Sequence, residues 1–439
     1  MTTIKISKRV STALINSLGA GVVPRIGLEH IAVGREKEIT ALLHDLSNIA
    51  EGGAAFRFIV GRYGAGKSFM LQLLRNHAME RGFVVADADL SPERRLVGAN
   101  SQGVATYREL MQNLSTKIRP DGGALAPILE GWINGIQNQV VQDTGLRPSD
   151  QGFDDRVEAK IIAAVKHIEG LVHGFTFASV VTTYWRGYRS NDANKKNIAL
   201  RWLRGEFDSK TEANSTLSVR DLIDDDSWYD YIKVFAKFVS DIGYKGLIVL
   251  LDEVVNLYKI NHAISRQNNY DKLLAIFNDT MQGKAEYLGI YLGGTPRFLE
   301  DPKRGLFNDQ AWQRRTAKSR FTKGFQDTSG PVIQLEPLTE TEILQLLQRL
   351  ADVHVSHYGT DKVLTNKELQ AFVQEIVNRL GADALLTPGE IVRDFVSVLN
   401  ILQQHPEIGL SELIHGSGLP LTGKAKEVDE DEEVAEFTL

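Results

Sequence analysis

Residues 61 to 68 read Gly61-Arg62-Tyr63-Gly64-Ala65-Gly66-Lys67-Ser68, and the apolar segment Phe56-Arg57-Phe58-Ile59-Val60 runs directly into them. Glycines at these intervals let successive backbone N–H groups curl around a polyphosphate, Lys67 can neutralise its β and γ charges, and the Ser68 hydroxyl can complete a Mg²⁺ shell. Phe69 to Leu74 then opens a helix whose positive end faces the anion. Strand, loop and helix stand in the order that phosphate binding requires, an order that a glycine turn without a ligand does not need. The motif therefore constrains the fold to α/β, a parallel sheet flanked by helices of the P-loop NTPase kind, with Gly61 to Phe69 supplying the cradle.

The chain has 439 residues, too many for one simple core, and two or three domains of ordinary size are expected. It contains no cysteine, which excludes disulfides and thiolate metal sites. The longest obvious apolar run, Leu247 to Leu251, is of buried-strand length and no run reaches membrane-spanning length. Lys5, Lys8 and Arg9 are followed by Ser11, Thr12, Asn16 and Ser17, the pattern of an amphipathic helix and not of a secretory signal, so a cytoplasmic location is expected. The net charge of −6 comes from one end. Seven acids, Glu427, Asp429, Glu430, Asp431, Glu432, Glu433 and Glu436, fall in the last thirteen residues, and taking those seven from the 56 acids leaves 49 against 50 lysines and arginines. Bulk charge thus argues neither for nor against nucleic acid, and the tail reads as disordered and solvated.

Periodicity places a helix around Ile39 to Leu46 and a second strand at Phe83 to Ala88, with Ser91 as a cap for the next segment and helical spacing over 106–118. Residues from about 120 to 241 are far more than a crossover needs, and they read as a mainly helical insertion with turns at Asp121-Gly122-Gly123 and Arg147-Pro148-Ser149-Asp150. Further strands lie at Gly246 to Leu251, Leu288 to Gly293 and Val332 to Leu335, with a helix over 270–282 between the first two. The expected domains are therefore 1–335 for nucleotide binding, a helical lid over 336–404, and a tail over 405–439.

Leu250-Leu251-Asp252-Glu253 is the second decisive feature. An aliphatic strand ending in two acids places one carboxylate, Asp252, to hold Mg²⁺ through water and the next, Glu253, to polarise an attacking water. Thr295 comes after the next strand and is read either as a contact to the γ-phosphate or as a helix cap. Arg297 to Lys323 is rich in bases, which suits either an arginine brought to a phosphate or a solvated face. Arg393 lies in the first turns of a helix begun by Pro388 and projects toward a nucleotide or into solvent. Tyr184, Trp185, Tyr188 and Trp202 interleave with Arg186, Arg189, Lys195, Lys196, Arg201 and Arg204, a mixture that fits nucleic acid or a helical core with snorkelling bases. His354 and His357 lack a third ligand for zinc.

In order along the chain, Val33-Gly34-Arg35-Glu36, Gly61 to Ser68, Leu250 to Glu253, Gly293-Gly294-Thr295, Ser319-Arg320-Phe321 and Pro388 to Arg393 resemble an AAA+ ATPase of the origin-recognition and STAND-like branch. More narrowly, Gly21 to Arg25, Val85 to Leu96 and Arg304 to Phe307 resemble the ATP-binding proteins of BREX-type bacterial phage-defence systems. The resemblance implies ATP and Mg²⁺ as cofactors, Val33 and Arg35 near the adenine, Thr295 in the sensor-1 place, Arg320 as a finger into the next subunit of a homo-oligomer, and Arg393 in the sensor-2 place. Sensor 1 is often asparagine in that group, and the winged helix of origin-binding relatives has no counterpart here, so their mode of binding DNA does not carry over. The function expected is ATP hydrolysis coupled to DNA or to a helicase or nuclease of the defence system, away from membranes. The alternatives are a nucleotide-dependent switch or scaffold with little hydrolysis, and a small-molecule kinase.

Overall fold

The computed structural model describes residues 6–316, 328–360, 364–380 and 387–415. In chain order α1 (Lys8–Gly19), α2 (Glu36–Ala50), β1 (Ala54–Val60), α3 (Lys67–Glu80), β2 (Val84–Asp89) and α4 (Gln102–Gln112) lead into six helices. These are α5 (Leu125–Thr144), α6 (Phe153–Lys166), α7 (Gly174–Arg189), α8 (Ala193–Leu203), α9 (Lys210–Leu217) and α10 (Trp228–Asp241). Then come β3 (Leu247–Asp252), α11 (Val255–Tyr258), α12 (Ala263–Met281), β4 (Leu288–Gly294), α13 (Pro296–Glu300), α14 (Gln310–Thr316) and β5 (Val332–Gln334). The helices α15 (Glu340–Tyr358), α16 (Asn366–Leu380), α17 (Pro388–Gln404) and α18 (Leu410–His415) close the described chain.

The five strands form one sheet in the order β2-β3-β4-β1-β5. β3 pairs in parallel with β2, Val84 facing Leu247 and Asp89 facing Asp252, and in parallel with β4, Leu247 facing Leu288 and Leu251 facing Leu292. Because β3 is hydrogen-bonded on both edges and covered on both faces, Leu247 to Leu251 are all buried, and the run reads as continuous apolar residues without alternation. Asp252 is the first residue to emerge from that cover.

The residues divide into two compact units. One takes the chain up to Thr40, Ile59–Asn76 and the residues from Val332 onward; the other takes Ala41–Phe58 and His77–Pro331. The first unit has a core in which Leu14 and Ile15 of α1 and Ile31 and Val33 meet Leu347, Phe372, Phe395 and Leu399 of the C-terminal helices. Leu410 of α18 joins this core, so the helical pattern runs beyond Gln404.

In the second unit Arg57, a charged residue in a strand, is explained by Asp45 of α2: Nε and Nη2 meet the two carboxylate oxygens at 2.8 and 2.7 Å, and Nη1 donates to the carbonyls of Thr328, Ser329 and Gly330. A bidentate, buried pair of this kind is strongly destabilised by losing either partner. α4 stops at Gln112, short of the expected 118, because the chain there turns onto the free edge of β2. The Asn113 side chain donates to Asp87 O at 2.9 Å, and Val85 and Ser115 exchange backbone bonds of 2.9 and 2.7 Å. Ser91 caps a turn, accepting from the N–H groups of Glu93 and Arg94, and no helix begins until residue 102.

The segment after that turn is held by side chains. Asn269 of α12, fully buried, accepts from Leu96 N–H at 2.9 Å and Val97 N–H at 3.2 Å and donates to Val97 O and Ser265 O. Asp225 accepts from Gly98 and Val104, and Trp228 donates to Leu96 O. Asn269→Ala orphans the buried Leu96 amide, so a loss of about 3 kcal/mol is expected in denaturant melts. A loss below about 0.5 kcal/mol, the size of an ordinary surface substitution, would refute the clamp.

Candidate functional site

The phosphate loop leaves β1 and turns twice through the left-handed region, at Gly64 (φ 74°) and Gly66 (φ 95°), with Ala65 between them. Such alternation turns successive N–H groups to one side, the geometry of an anion nest. The loop closes on itself through Ala65 N–H to Arg62 O at 3.1 Å, and a Cβ on Gly61 would come within 2.9 Å of the Ala65 Cβ. Met70 N–H donates to Gly66 O at 2.9 Å, which places Lys67, Ser68 and Phe69 in the first turn of α3. Lys67 Nζ lies over the loop and donates to Arg62 O at 3.0 Å. Tyr63 is 88% exposed, so its contribution to the cradle is main chain. Phe69 packs against the core of the same unit and anchors the helix.

Two elements of that unit press on the loop from behind. Arg35, only 7% exposed in its side chain, donates from Nη2 to Ala65 O at 3.4 Å and pairs with Glu38 at 3.7 Å. Desolvation pulls its guanidinium below the usual range and Glu38 and Glu342 offset that, leaving a buried cation beneath the nest. Gly389, in the first turn of α17, donates to Gly64 O at 3.4 Å. Thr387 caps that helix in a reciprocal box with Glu390, and a Cβ on Gly64 would stand 2.4 Å from Thr387 Oγ1. Val33 is 5% exposed and its side chain belongs to the core. Arg393 lies half-exposed on the second turn of α17, 3.8 Å from Asp394, with its Cδ beside Gly21.

In the other unit, Asp252 ends β3 and its Oδ1 accepts from Glu253 N–H at 2.8 Å. Glu253 is exposed and has φ 55°, a left-handed conformation in a residue that is not glycine. Asp89 faces Asp252 across the β2–β3 ladder, and burial, then Asp252 and Asp87, push its carboxyl above the usual range. Asp87 and Asp89 are two apart on a strand and share a face, the signal that reading 83–88 as a plain strand passed over. Thr295 accepts from Phe298 N–H at 3.3 Å and caps α13, with Pro296 at the first helical position. Ser319-Arg320-Phe321 lies outside the described residues. Of the basic run before it, Arg297 and Arg304 lie over the Tyr258 ring at 5.5 and 5.9 Å.

In the interleaved stretch from Tyr184 to Arg204, three of the four aromatic residues are buried and five of the six cations lie beside acids. Tyr184, Trp185 and Trp202 are buried, while Arg186 pairs with Glu158, Arg189 with Asp154, Lys196 with Glu130, Arg201 with Glu212 and Arg204 with Glu206. Ring nitrogens of His354 and His357 bond to Asn400 and Ser11, and no group of three metal-binding side chains occurs among the described residues. No helix among them is long and apolar enough to cross a membrane.

Gly64→Ala must distort the nest or expel Thr387, so ATP affinity measured by calorimetry is expected to fall about tenfold or more, roughly 1.4 kcal/mol. Thr387→Gly in the same chain should return part of it, and unchanged affinity in Gly64→Ala would show that the loop does not need this conformation. Comparison with curated proteins finds no match. A family model described as BREX system ATP-binding protein BrxC/D matches residues 6–417, nearly the whole chain. With a phosphate nest where that family's ligand requires one, the chain belongs to the BREX system ATP-binding protein BrxC/D family.

Proposed function

We propose that the chain binds ATP with Mg²⁺ and hydrolyses it, and that this cycle drives an action on DNA or on a DNA-processing partner in bacterial phage defence. The observation that carries the binding half is the nest at Gly64 to Gly66, followed directly by the N-terminus of α3. Mg²⁺ commonly keeps several waters and takes only one or two protein ligands beside the phosphates, so Ser68 and Asp252 suffice as donors and no all-protein cage is needed. Bound there, the ion would supply charge neutralisation at the phosphates. Lys67 binds the β and γ oxygens, Glu253 takes a proton from the attacking water, and Thr295 orients the γ-phosphate or that water.

Lys67→Ala is expected to abolish ATP uptake in calorimetry, whereas Glu253→Gln should keep uptake and lower kcat by about 10² or more. Full turnover in Glu253→Gln would remove the proposed base. The second reading is a switch in which ATP locks an assembly and turnover is slow. It draws on Gly389 and Thr387, which tie the first turn of α17 to the phosphate loop and give bound nucleotide a direct hold on the C-terminal helices. A wild type that binds ATP yet shows no turnover, even beside DNA and its partner, selects it.

The cations of the Tyr184 to Arg204 stretch sit mostly in exposed ion pairs, weak enough for DNA phosphates to compete with, so this stretch stays a candidate DNA contact. ATPase rates with single- and double-stranded DNA at two salt concentrations test that part: stimulation that weakens steeply with salt is expected, because phosphate contacts release counterions. Rates indifferent to both DNA and salt would leave a protein partner as the target.

A further inference from the structure

Glu253 is held in its left-handed conformation from both sides. A residue with a Cβ costs on the order of 1 kcal/mol there and persists where neighbours impose it. Leu90, buried just beyond β2, donates its N–H to Asp252 O at 3.0 Å and accepts from Asn256 Nδ2 at 2.8 Å, so one residue brackets Glu253 before and after. On the opposite flank Val254 N–H donates to Gly293 O of β4 at 3.1 Å, and Asn256 N–H closes the turn on Glu253 O at 3.0 Å. Leu90 is a fixed point, because the segment beyond it is gripped by Asn269, Asp225 and Trp228. A side chain on Gly294 would press within 3.0 Å of Val254 Cγ2, so β4 also keeps room for this turn.

Most of these groups are main chain, which any sequence supplies; the amide of Asn256 is not. Aspartate in its place would set a carboxylate against the Leu90 carbonyl, alanine would reach nothing, and glutamine is one methylene too long. We propose that Asn256 is a positioning residue for ATP hydrolysis: its bond to Leu90 O fixes α11 and with it the backbone of Glu253, holding the carboxylate at a set offset from Asp252. The inference rests on Glu253 being the base that activates water.

The test compares full-length wild type, Asn256→Asp and Asn256→Ala for kcat, KM and ATP affinity, alone and in a Glu253→Gln background, with thermal melts to show that each variant folds. A base displaced by about 1 Å loses up to about 10² in rate, so kcat should fall ten- to a hundredfold in both single variants while KM and affinity stay within about twofold. In the Glu253→Gln background the second substitution should change residual turnover less than about twofold, since groups acting as a unit are not additive. An unchanged kcat in either folded variant, a loss of ATP affinity that matches the loss of turnover, or a full further loss in the Glu253→Gln background overturns the proposal. A wild type that does not hydrolyse ATP at all defeats the hydrolysis reading and this inference together; a hydrolysing wild type matched by Asn256→Asp defeats the inference alone.

Discussion

A strand buried on both faces and bonded along both edges has nowhere to put a charge until it ends. β3 is such a strand, and its register with β2 and β4 fixes where the end comes. Burial of five aliphatic residues offsets the ordering entropy, and Asp252 appears at the first position where a carboxylate can keep water. The position of Asp252 is thus set by packing that extends across the sheet and not by the acid itself. A shift by one residue would bury a carboxylate beside Leu292 or expose an aliphatic side chain, and either costs more than the local ladder returns.

The phosphate loop is governed by a different kind of constraint, which is steric and backbone-based. Gly64 and Gly66 adopt conformations that side chains resist, and at Gly64 the space a methyl group would need is already occupied by Thr387. Arg35 and Gly389 take two consecutive carbonyls of the loop, Ala65 O and Gly64 O, which leaves the opposite side of those peptides to the N–H groups. A buried guanidinium under a phosphate site serves twice, as a hydrogen-bond donor to the loop and as fixed positive charge in a place of weak screening. The resemblance put Arg35 near the base of the nucleotide; its described partners are the loop and Glu38.

What was legible in the sequence was what local periodicity and composition encode. The five strands, the loop, and the helix-rich stretch over 120–241 come from apolar runs, glycine spacing and 3.6-residue repeats, and each appears within a few residues of its expected place. Long-range partners carry no such signal. Nothing near Gln112 announces that Ser115 will pair with Val85, and nothing near Arg57 names Asp45. The interleaved aromatics and cations around Trp185 show the same limit from the other side. Their pattern fits stacking on bases as well as it fits a core, and the acids that α5, α6 and α9 bring beside the cations of a buried aromatic centre carry no signal in that stretch of sequence. At the site the residue types were readable at Lys67, Ser68, Asp252 and Glu253, whereas the left-handed turn at Glu253 and its bracket by Leu90 were not, because they depend on how the end of β2 meets the end of β3.

That turn also bears on the choice between an enzyme and a switch. A protein that needs ATP only as a lock can bind it with a nest, a lysine and a metal ligand, and does not need a fixed carboxylate after that ligand. Here Glu253 carries strain of roughly 1 kcal/mol, and hydrogen bonds from the neighbourhoods of both β2 and β4 hold it in place. Ser101, His173, Asn191, Ser218 and Tyr287 share that left-handed conformation, so it is the bracket from two strands at an exposed carboxylate beside a candidate magnesium ligand, and not the φ angle itself, that supports the proposed role of Glu253 as a fixed base.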